Sequence, residues 1–273
     1  MSVSQSIHFK WSKSTIGKKV FPKAAILIPL TINTKRHFLQ LDTGCPRTYI
    51  YTSHFYNSRT RLKIKDKQPI ELDILIGGKK FKQVFLADNQ TKKHKSTEKI
   101  FSVGLLGNDF FKDKIFFIDF PKKEIKFSES SFSVPPKFIY LDSKFKKNFI
   151  YLTLKYENKK FKVIYDTGAS IFPLATNKKR WLELTGKNGK EKDNKTLIVS
   201  AAFGKKIKLV GAPIKKELFL SGMNFLNKIV YYEPAQTPTT DFSLINCEGL
   251  MGNTIFLNKS IHIDFINKKF AVL

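Results

Sequence analysis

Short apolar runs alternate with polar turn residues along most of this chain. The runs hold five to eight residues rich in Ile, Val, Phe and Tyr, for example residues 25–32, 70–76 and 149–154. Gly77-Gly78 and Glu157-Asn158 are turn signals that separate such runs. Strand-length runs separated by turns are typical of all-β proteins. The pattern therefore predicts an all-β fold with little helix.

The chain also contains the same order of three motifs twice. The motifs are Asp-Thr-Gly at residues 42–44 and 166–168, Gly-Leu-x-Gly-Asn at 104–108 and 249–253, and Ile-Asp-Phe at 118–120 and 263–265. The spacing between the last two motifs is identical in both copies, whereas the interval before them is longer in the second copy. Two copies with so long a period indicate a duplicated domain rather than a solenoid.

The predicted helices are few and short. A turn or two of helix is expected after each Gly-Leu-x-Gly, and the stretch Thr176–Leu184 is a candidate helix that ends near Gly186. The Ser-rich stretch Ser128–Pro136 is predicted to connect the two copies. The sequence thus predicts two domains, residues 1–132 with the first Asp-Thr-Gly and residues 133–273 with the second.

Charge is the main compositional feature. The 273 residues, enough for a substantial core, include 49 Lys and Arg against 22 Asp and Glu, which gives a formal net charge of +27. Most basic clusters fall at predicted turns, which indicates a solvated, Lys-rich surface. The positive electrostatic field of such a surface also favours anionic partners, for example an acidic peptide or protein substrate, or a phosphate-rich envelope. No nucleic-acid-binding motif is present, so nucleic acid is not an expected partner.

Other site chemistries lack their sequence signatures. The five His residues never occur at zinc-ligand spacing, so no metal is expected. No Gly-rich phosphate loop is present, and no cofactor is expected. Cys45 and Cys247 show no nucleophile signature. They lie in different copies, so no disulfide framework is implied.

The sequence leaves the compartment open. No stretch approaches the roughly 20 apolar residues of a membrane-spanning helix, so no membrane span is expected. The polar N-terminus has no apolar leader core. The choice lies between the cytoplasm and an extracytoplasmic location after removal of a leader, and the second is favoured.

The two matched motif pairs resemble those of the aspartic peptidases, over about residues 25–273. Two copies in one chain are similar to the pepsin class, whereas the short copies and the string Leu-Leu-Gly-Asn-Asp-Phe-Phe at residues 105–111 are more similar to the single-lobe retroviral-type proteases. The resemblance implies a bilobal acid-protease fold of two pseudo-twofold-related β-barrel-like lobes. It also implies a competent monomer, because both Asp-Thr-Gly motifs lie in one chain.

The resemblance implies an aspartic endopeptidase with a catalytic pair, Asp42 and Asp166. Two carboxyl groups about 3 Å apart cannot both ionise, so they share one proton and activate a water that attacks the peptide bond. The hydroxyls of Thr43 and Thr167 are implied to bond the backbone of the opposite loop.

The glycines of both motifs have implied packing roles. Gly44 and Gly168 permit the tight catalytic loops. Gly107 and Gly252 are implied to pack beneath the loop of their own lobe.

The chain departs from the pepsin pattern directly after each Asp-Thr-Gly. Pepsin-type enzymes carry Ser or Thr there, whereas this chain has Cys45 and Ala169, and Arg47 adds a cation beside the first loop. A missing hydroxyl donor removes one influence that lowers the pKa of the pair. The expected activity optimum is therefore mildly acidic to near-neutral.

A covering flap is the second departure. In the first copy, Arg59–Pro69 is the only segment that could form such a flap, and it contains no Tyr. The longer interval Lys187–Lys208 of the second copy is the candidate cover. The alternative function is a non-catalytic, cationic binding protein on the same fold, at an anionic cell envelope.

Overall fold

The structure is a computed structural model that describes residues 5–16, 19–56, 63–90, 100–129, 137–188, 195–200, 206–235, 239 and 241–273. In chain order, the strands of the first copy are β1 (Gln5–His8), β2 (Lys10–Ile16), β3 (Lys19–Ile32), β4 (Lys35–Leu41), β5 (Tyr49–Tyr51), β6 (Pro69–Ile76), β7 (Lys79–Asp88), β8 (Gly104–Leu106), β9 (Ile115–Asp119) and β10 (Glu124–Ser128). Those of the second are β11 (Ile139–Tyr140), β12 (Ser143–Lys146), β13 (Phe149–Tyr156), β14 (Lys159–Tyr165), β15 (Leu174–Thr176), β16 (Lys195–Ser200), β17 (Lys206–Pro213), β18 (Leu218–Leu220), β19 (Met223–Asn224), β20 (Ile229–Tyr232), β21 (Gly249–Met251), β22 (Ser260–Asp264) and β23 (Lys269–Val272).

The strands confirm the all-β prediction and form three sheets. One sheet lies within the first copy, in the order β2-β3-β4-β8-β5-β7-β6, and closes through a further pairing of β3 with β6. A second sheet lies within the second copy, in the order β16-β17-β20-β15-β21-β14-β13-β18-β19, with β12 paired to β13. Several pairings recur in both copies. The strand before each Asp-Thr-Gly pairs in parallel with the Gly-Leu-x-Gly strand, as β4 with β8 and β14 with β21.

The third sheet joins the copies, in the order β1-β10-β9-β22-β23-β11. Its centre is the antiparallel pair β9 and β22, which are the strands of the two Ile-Asp-Phe motifs. Ile118 lies opposite Ile261 and Phe116 opposite Ile263, and all four side chains are buried. The apolar core therefore continues from one copy to the other.

The helices are short, as predicted. They are α1 (Thr52–Phe55), α2 (Asn108–Phe111), α3 (Lys178–Thr185) and a 3-10 helix (Asn253–Ile255). The second and last follow the two Gly-Leu-x-Gly motifs. Asn177 caps α3 by accepting the Arg180 N–H at 2.9 Å, and Gly186 ends it in a left-handed conformation. Thr176, predicted as helical, instead ends β15, and α1 was not predicted.

Two predicted turns and one predicted connection can be compared with the structure. Gly77 and Gly78 both have positive φ, 58° and 87°, which is the backbone of a tight two-residue turn between β6 and β7. Glu157-Asn158 likewise joins β13 to β14. The predicted connection Ser128–Pro136 starts one residue too early, because Ser128 is still part of β10 and pairs with Ile115 of β9. Residues 130–136, with the predicted boundary between 132 and 133, lie outside the described residues.

Candidate active site

Each Asp-Thr-Gly begins where a buried strand ends. The Asp42 N–H donates to the Leu106 carbonyl at 3.1 Å, and the Asp166 N–H donates to the Met251 carbonyl at 2.9 Å. Each loop then turns back on itself, because the N–H three residues later donates to the carbonyl of its Asp, at 3.1 Å in the first loop and 3.2 Å in the second. The two loops thus have matching backbone geometry.

Four hydrogen bonds between the threonines and the opposite loop hold the loops together. The Thr43 hydroxyl donates to the Tyr165 carbonyl and accepts the Thr167 N–H. The Thr167 hydroxyl donates to the Leu41 carbonyl and accepts the Thr43 N–H. All four distances are 2.9 Å, and both threonines are fully buried. The structure therefore brings the two loops into one rigid unit.

This unit places the carboxyl groups of Asp42 and Asp166 beside each other: a Cβ atom on Gly168 would lie 2.7 Å from Asp42 Oδ2 and 3.0 Å from Asp166 Oδ1. Asp42 is only 8% exposed. The Gly168 N–H donates to Asp166 Oδ1 at 2.7 Å. The Gln40 side-chain amide donates to Asp42 Oδ2 at 3.4 Å. Gln40 was not among the residues predicted from the sequence.

Gly44 and Gly168 lie where no side chain fits. A Cβ atom on Gly44 would lie 2.7 Å from both carboxyl oxygens of Asp166, and one on Gly168 would lie 2.7 Å from Asp42 Oδ2. Each glycine therefore faces the aspartate of the opposite loop. An alanine at either position would displace a carboxyl group of the pair.

Gly107 and Gly252 lie against the loop of their own copy. A Cβ atom on Gly107 would overlap the Arg47 carbonyl oxygen, and one on Gly252 would overlap the Ala169 carbonyl oxygen. These two positions fix how closely the Gly-Leu-x-Gly strand approaches the Asp-Thr-Gly loop of its own copy.

The asparagine that follows each of these glycines supports the loop, a role not predicted from the sequence. Asn108 Nδ2 donates to the Thr43 carbonyl at 2.7 Å, and Asn253 Nδ2 donates to the Thr167 carbonyl at 2.9 Å. Both asparagines are fully buried. The available signal was their occurrence at the same place in both copies.

Burial raises the pKa of both aspartates, whereas their mutual contact raises the pKa of Asp42 and lowers that of Asp166. For Asp42, desolvation raises the pKa well above the usual aspartate value, and the charge of Asp166 raises it further. Desolvation also raises the pKa of Asp166, although backbone N–H groups in both loops oppose the rise. The pair therefore keeps one shared proton to higher pH than a free aspartate would.

The raised pKa of Asp42 predicts how stability depends on pH. A group that binds its proton more tightly in the folded state stabilises the fold at low pH, and this contribution is lost as pH rises through the folded pKa. An Asp42→Asn variant lacks it. We expect the free energy of unfolding of Asp42→Asn, relative to wild type, to increase from about pH 4 to pH 7.

Urea denaturation of both proteins at matched pH values measures this difference, and the titrating groups that do not interact with the pair cancel in it. A difference that stays constant over the range would contradict the raised pKa.

Neither of the residues that directly follow the two Asp-Thr-Gly motifs, Cys45 and Ala169, is ionised. Burial raises the pKa of the Cys45 thiol, so the thiol stays neutral. Both cysteines are free. The Arg47 side chain is exposed. Ala169 offers no donor, and Ser170 donates its hydroxyl to the Thr167 carbonyl at 2.8 Å rather than to a carboxyl group.

The two candidate covers are described only in part. Residues 59–62 of the first-copy interval Arg59–Pro69 lie outside the described residues. The second-copy interval holds the antiparallel strands β16 and β17, and residues 201–205 between them are not described. A pocket of about 580 Å³ lies elsewhere, lined by Lys23, Phe225, Lys228, Thr254 and Lys259, among others.

Two further observations hold for the described part of the chain. It contains no group of three His, Cys, Asp or Glu side chains placed to bind a metal ion. None of its helices has the length and apolar character needed to cross a membrane.

No family model matches the chain, and no curated protein matches it.

Proposed function

We propose that this chain is an aspartic endopeptidase on a bilobal acid-protease fold, with two pseudo-twofold-related lobes. One observation carries the proposal: the carboxyl groups of Asp42, which is buried, and Asp166, which is half-buried, lie beside each other in loops that exchange four threonine hydrogen bonds. A structural aspartate in a surface loop needs neither a second carboxyl group nor such support.

The proposed mechanism uses the shared proton. The ionised carboxylate removes a proton from a water, and the water oxygen bonds to the carbonyl carbon of the substrate. The protonated carboxyl donates to the carbonyl oxygen, which gives a tetrahedral gem-diol. The C–N bond then breaks as a proton passes to the amine, and the pair returns to its starting state.

Both aspartates come from one chain, so the proposed active species is a monomer. Catalysis on this scheme needs neither a covalent intermediate nor a partner subunit. The raised pKa values of the pair favour activity at mildly acidic to near-neutral pH, since the shared proton must be retained.

Digestion of a diverse peptide library at several pH values, read by mass spectrometry, tests the proposal. We expect cleavage at internal peptide bonds by wild type and none by the Asp42→Asn/Asp166→Asn double variant. Intact peptides under all conditions would overturn the proposal. Retention of acidic peptides without cleavage would favour the alternative, a cationic binding protein, which the net charge of +27 makes the second candidate.

The same charge gives a prediction for the substrate. If the positive field gathers substrate, kcat/KM for an acidic peptide should fall about tenfold or more between low and physiological salt. A neutral peptide with the same residues around the cleaved bond is the matched control and should change little. Steady-state kinetics at increasing NaCl measures both, and equal sensitivity would make the charge a solubility feature.

A further inference from the structure

The hairpin of β2 and β3 is longer than the sheet that it belongs to. Residues 25–32 of β3 pair with β4 or lie in the core of the first copy, whereas residues 19–21 pair with β2 and residues 22–24 lie at an irregularity of that pairing. Phe21 lies opposite Ser14, and Val20 lies opposite Thr15. We call residues 13–16 and 19–24 the arm.

The arm contacts the second copy at two places. The side chain of Phe21 packs against a cluster of buried apolar residues that consists of Ala169, Phe172, Ala175 and Leu209. Further along β3, Lys23 lines the pocket formed with Phe225 and Lys259. The arm therefore extends from the first copy onto the second.

The cluster adjoins the catalytic loop of the second copy. Ala169 directly follows Gly168, which faces the Asp42 carboxyl group. Leu250, which packs against the same cluster, directly precedes Met251, whose carbonyl accepts the Asp166 N–H. Phe21 thus packs against a cluster whose residue Ala169 is adjacent in sequence to Gly168, in the loop that holds the Asp166 carboxyl group.

The contact is suited to opening and closing. Phe21 is only partly buried, and the Lys19 ammonium group lies 4.9 Å from the centre of its ring. Its neighbour Val20 is 56% exposed. Beyond its base, the arm is held by the Phe21 ring, by Lys23 at the pocket and by the approach of β2 to β16, and it can move while residues 25–32 of β3 stay in the sheet.

We propose that the arm is a lid over the catalytic cleft, and that Phe21 covers the peptide next to the cleaved bond. The inference rests on the proposed peptidase function. Closure of the arm excludes water from the pair and holds the substrate backbone against it. This assigns the cover to a segment before the first Asp-Thr-Gly, where no cover was predicted.

Kinetics of Phe21→Ala and Val20→Ala test the lid. Both variants shorten one side chain of the arm, and only Phe21 contacts the cluster, which makes Val20→Ala the matched control. We expect Phe21→Ala to lower kcat/KM about tenfold or more, mainly through KM, and Val20→Ala to stay within about twofold of wild type. Thermal denaturation verifies that both variants are folded.

A second readout does not depend on turnover. Hydrogen exchange of the arm amides in wild type is measured with and without a bound peptide. This peptide has the sequence of a substrate, but its scissile amide is replaced by CH₂–NH, so it cannot be hydrolysed. We expect slower exchange in the arm when this peptide is bound.

The outcomes separate the two proposals. Cleavage by wild type with equal kinetics for both variants, or faster cleavage by Phe21→Ala, overturns the lid alone. Unchanged arm exchange in the complex also overturns it. A wild-type protein that hydrolyses no peptide overturns the peptidase function and the lid with it.

Discussion

Replacing either Asp42 or Asp166 by Asn should reduce kcat for peptide hydrolysis by on the order of 10³-fold or more. Asn has nearly the same shape as Asp but cannot accept the proton of the attacking water or share a proton with its partner. General acid–base catalysis by one positioned group contributes about 10²–10⁴-fold, and each aspartate takes part in both proton transfers. Steady-state kinetics on a peptide selected from the library measures the loss.

The control for this loss is Asp73→Asn. Asp73 is exposed on β6, and its replacement makes the same change of side chain outside the pair. We expect wild-type kcat for this variant. A single-Asn variant of the pair with more than about a tenth of wild-type kcat would show that the pair is not the catalytic group.

Thr43→Val should cost about 2–5 kcal/mol of the free energy of unfolding, because it leaves two buried groups without a partner. The Thr43 hydroxyl accepts the Thr167 N–H and donates to the Tyr165 carbonyl. Valine keeps the shape of threonine and removes both bonds. Each unpaired buried group costs about 1–3 kcal/mol. Urea denaturation at fixed pH gives the value.

Thr43→Ser is the matched variant, because it loses only a methyl group and keeps the hydroxyl. We expect it to retain most of the stability that Thr43→Val loses. Activity should follow the same order, since the threonine pair positions the carboxyl groups. Equal stability of the valine and serine variants would mean that the hydroxyl bonds contribute nothing to joining the loops.

The repeat in the sequence made much of this architecture predictable. Strand-length apolar runs gave the all-β class, and the position of Gly186 gave the end of α3. The paired Asp-Thr-Gly motifs directed attention to Asp42 and Asp166 before any distance was known. The all-β class and the end of α3 were predictable because they depend on local pattern, which a single chain displays directly.

The supporting contacts depend on packing between distant segments. Gln40 is one of four polar residues in β4, and only the folded loop shows that its amide donates to Asp42. Phe21 contacts residues about 150 positions later in the chain, which no local period encodes. Ser128 was placed in a connection because of the Ser residues around it, yet its backbone pairs with Ile115 within the sheet.

The central claim is that Asp42 and Asp166 together activate a water for peptide hydrolysis. The most direct test is the initial rate of cleavage of one library-selected peptide by wild type and by the Asp42→Asn/Asp166→Asn double variant across about pH 3 to 8. The account predicts a bell-shaped profile for wild type, because one carboxyl group must be protonated and the other ionised, with its maximum at mildly acidic to near-neutral pH. The double variant should show no cleavage at any pH. Cleavage retained by the double variant, or a folded wild-type protein without activity across the whole range, would contradict it.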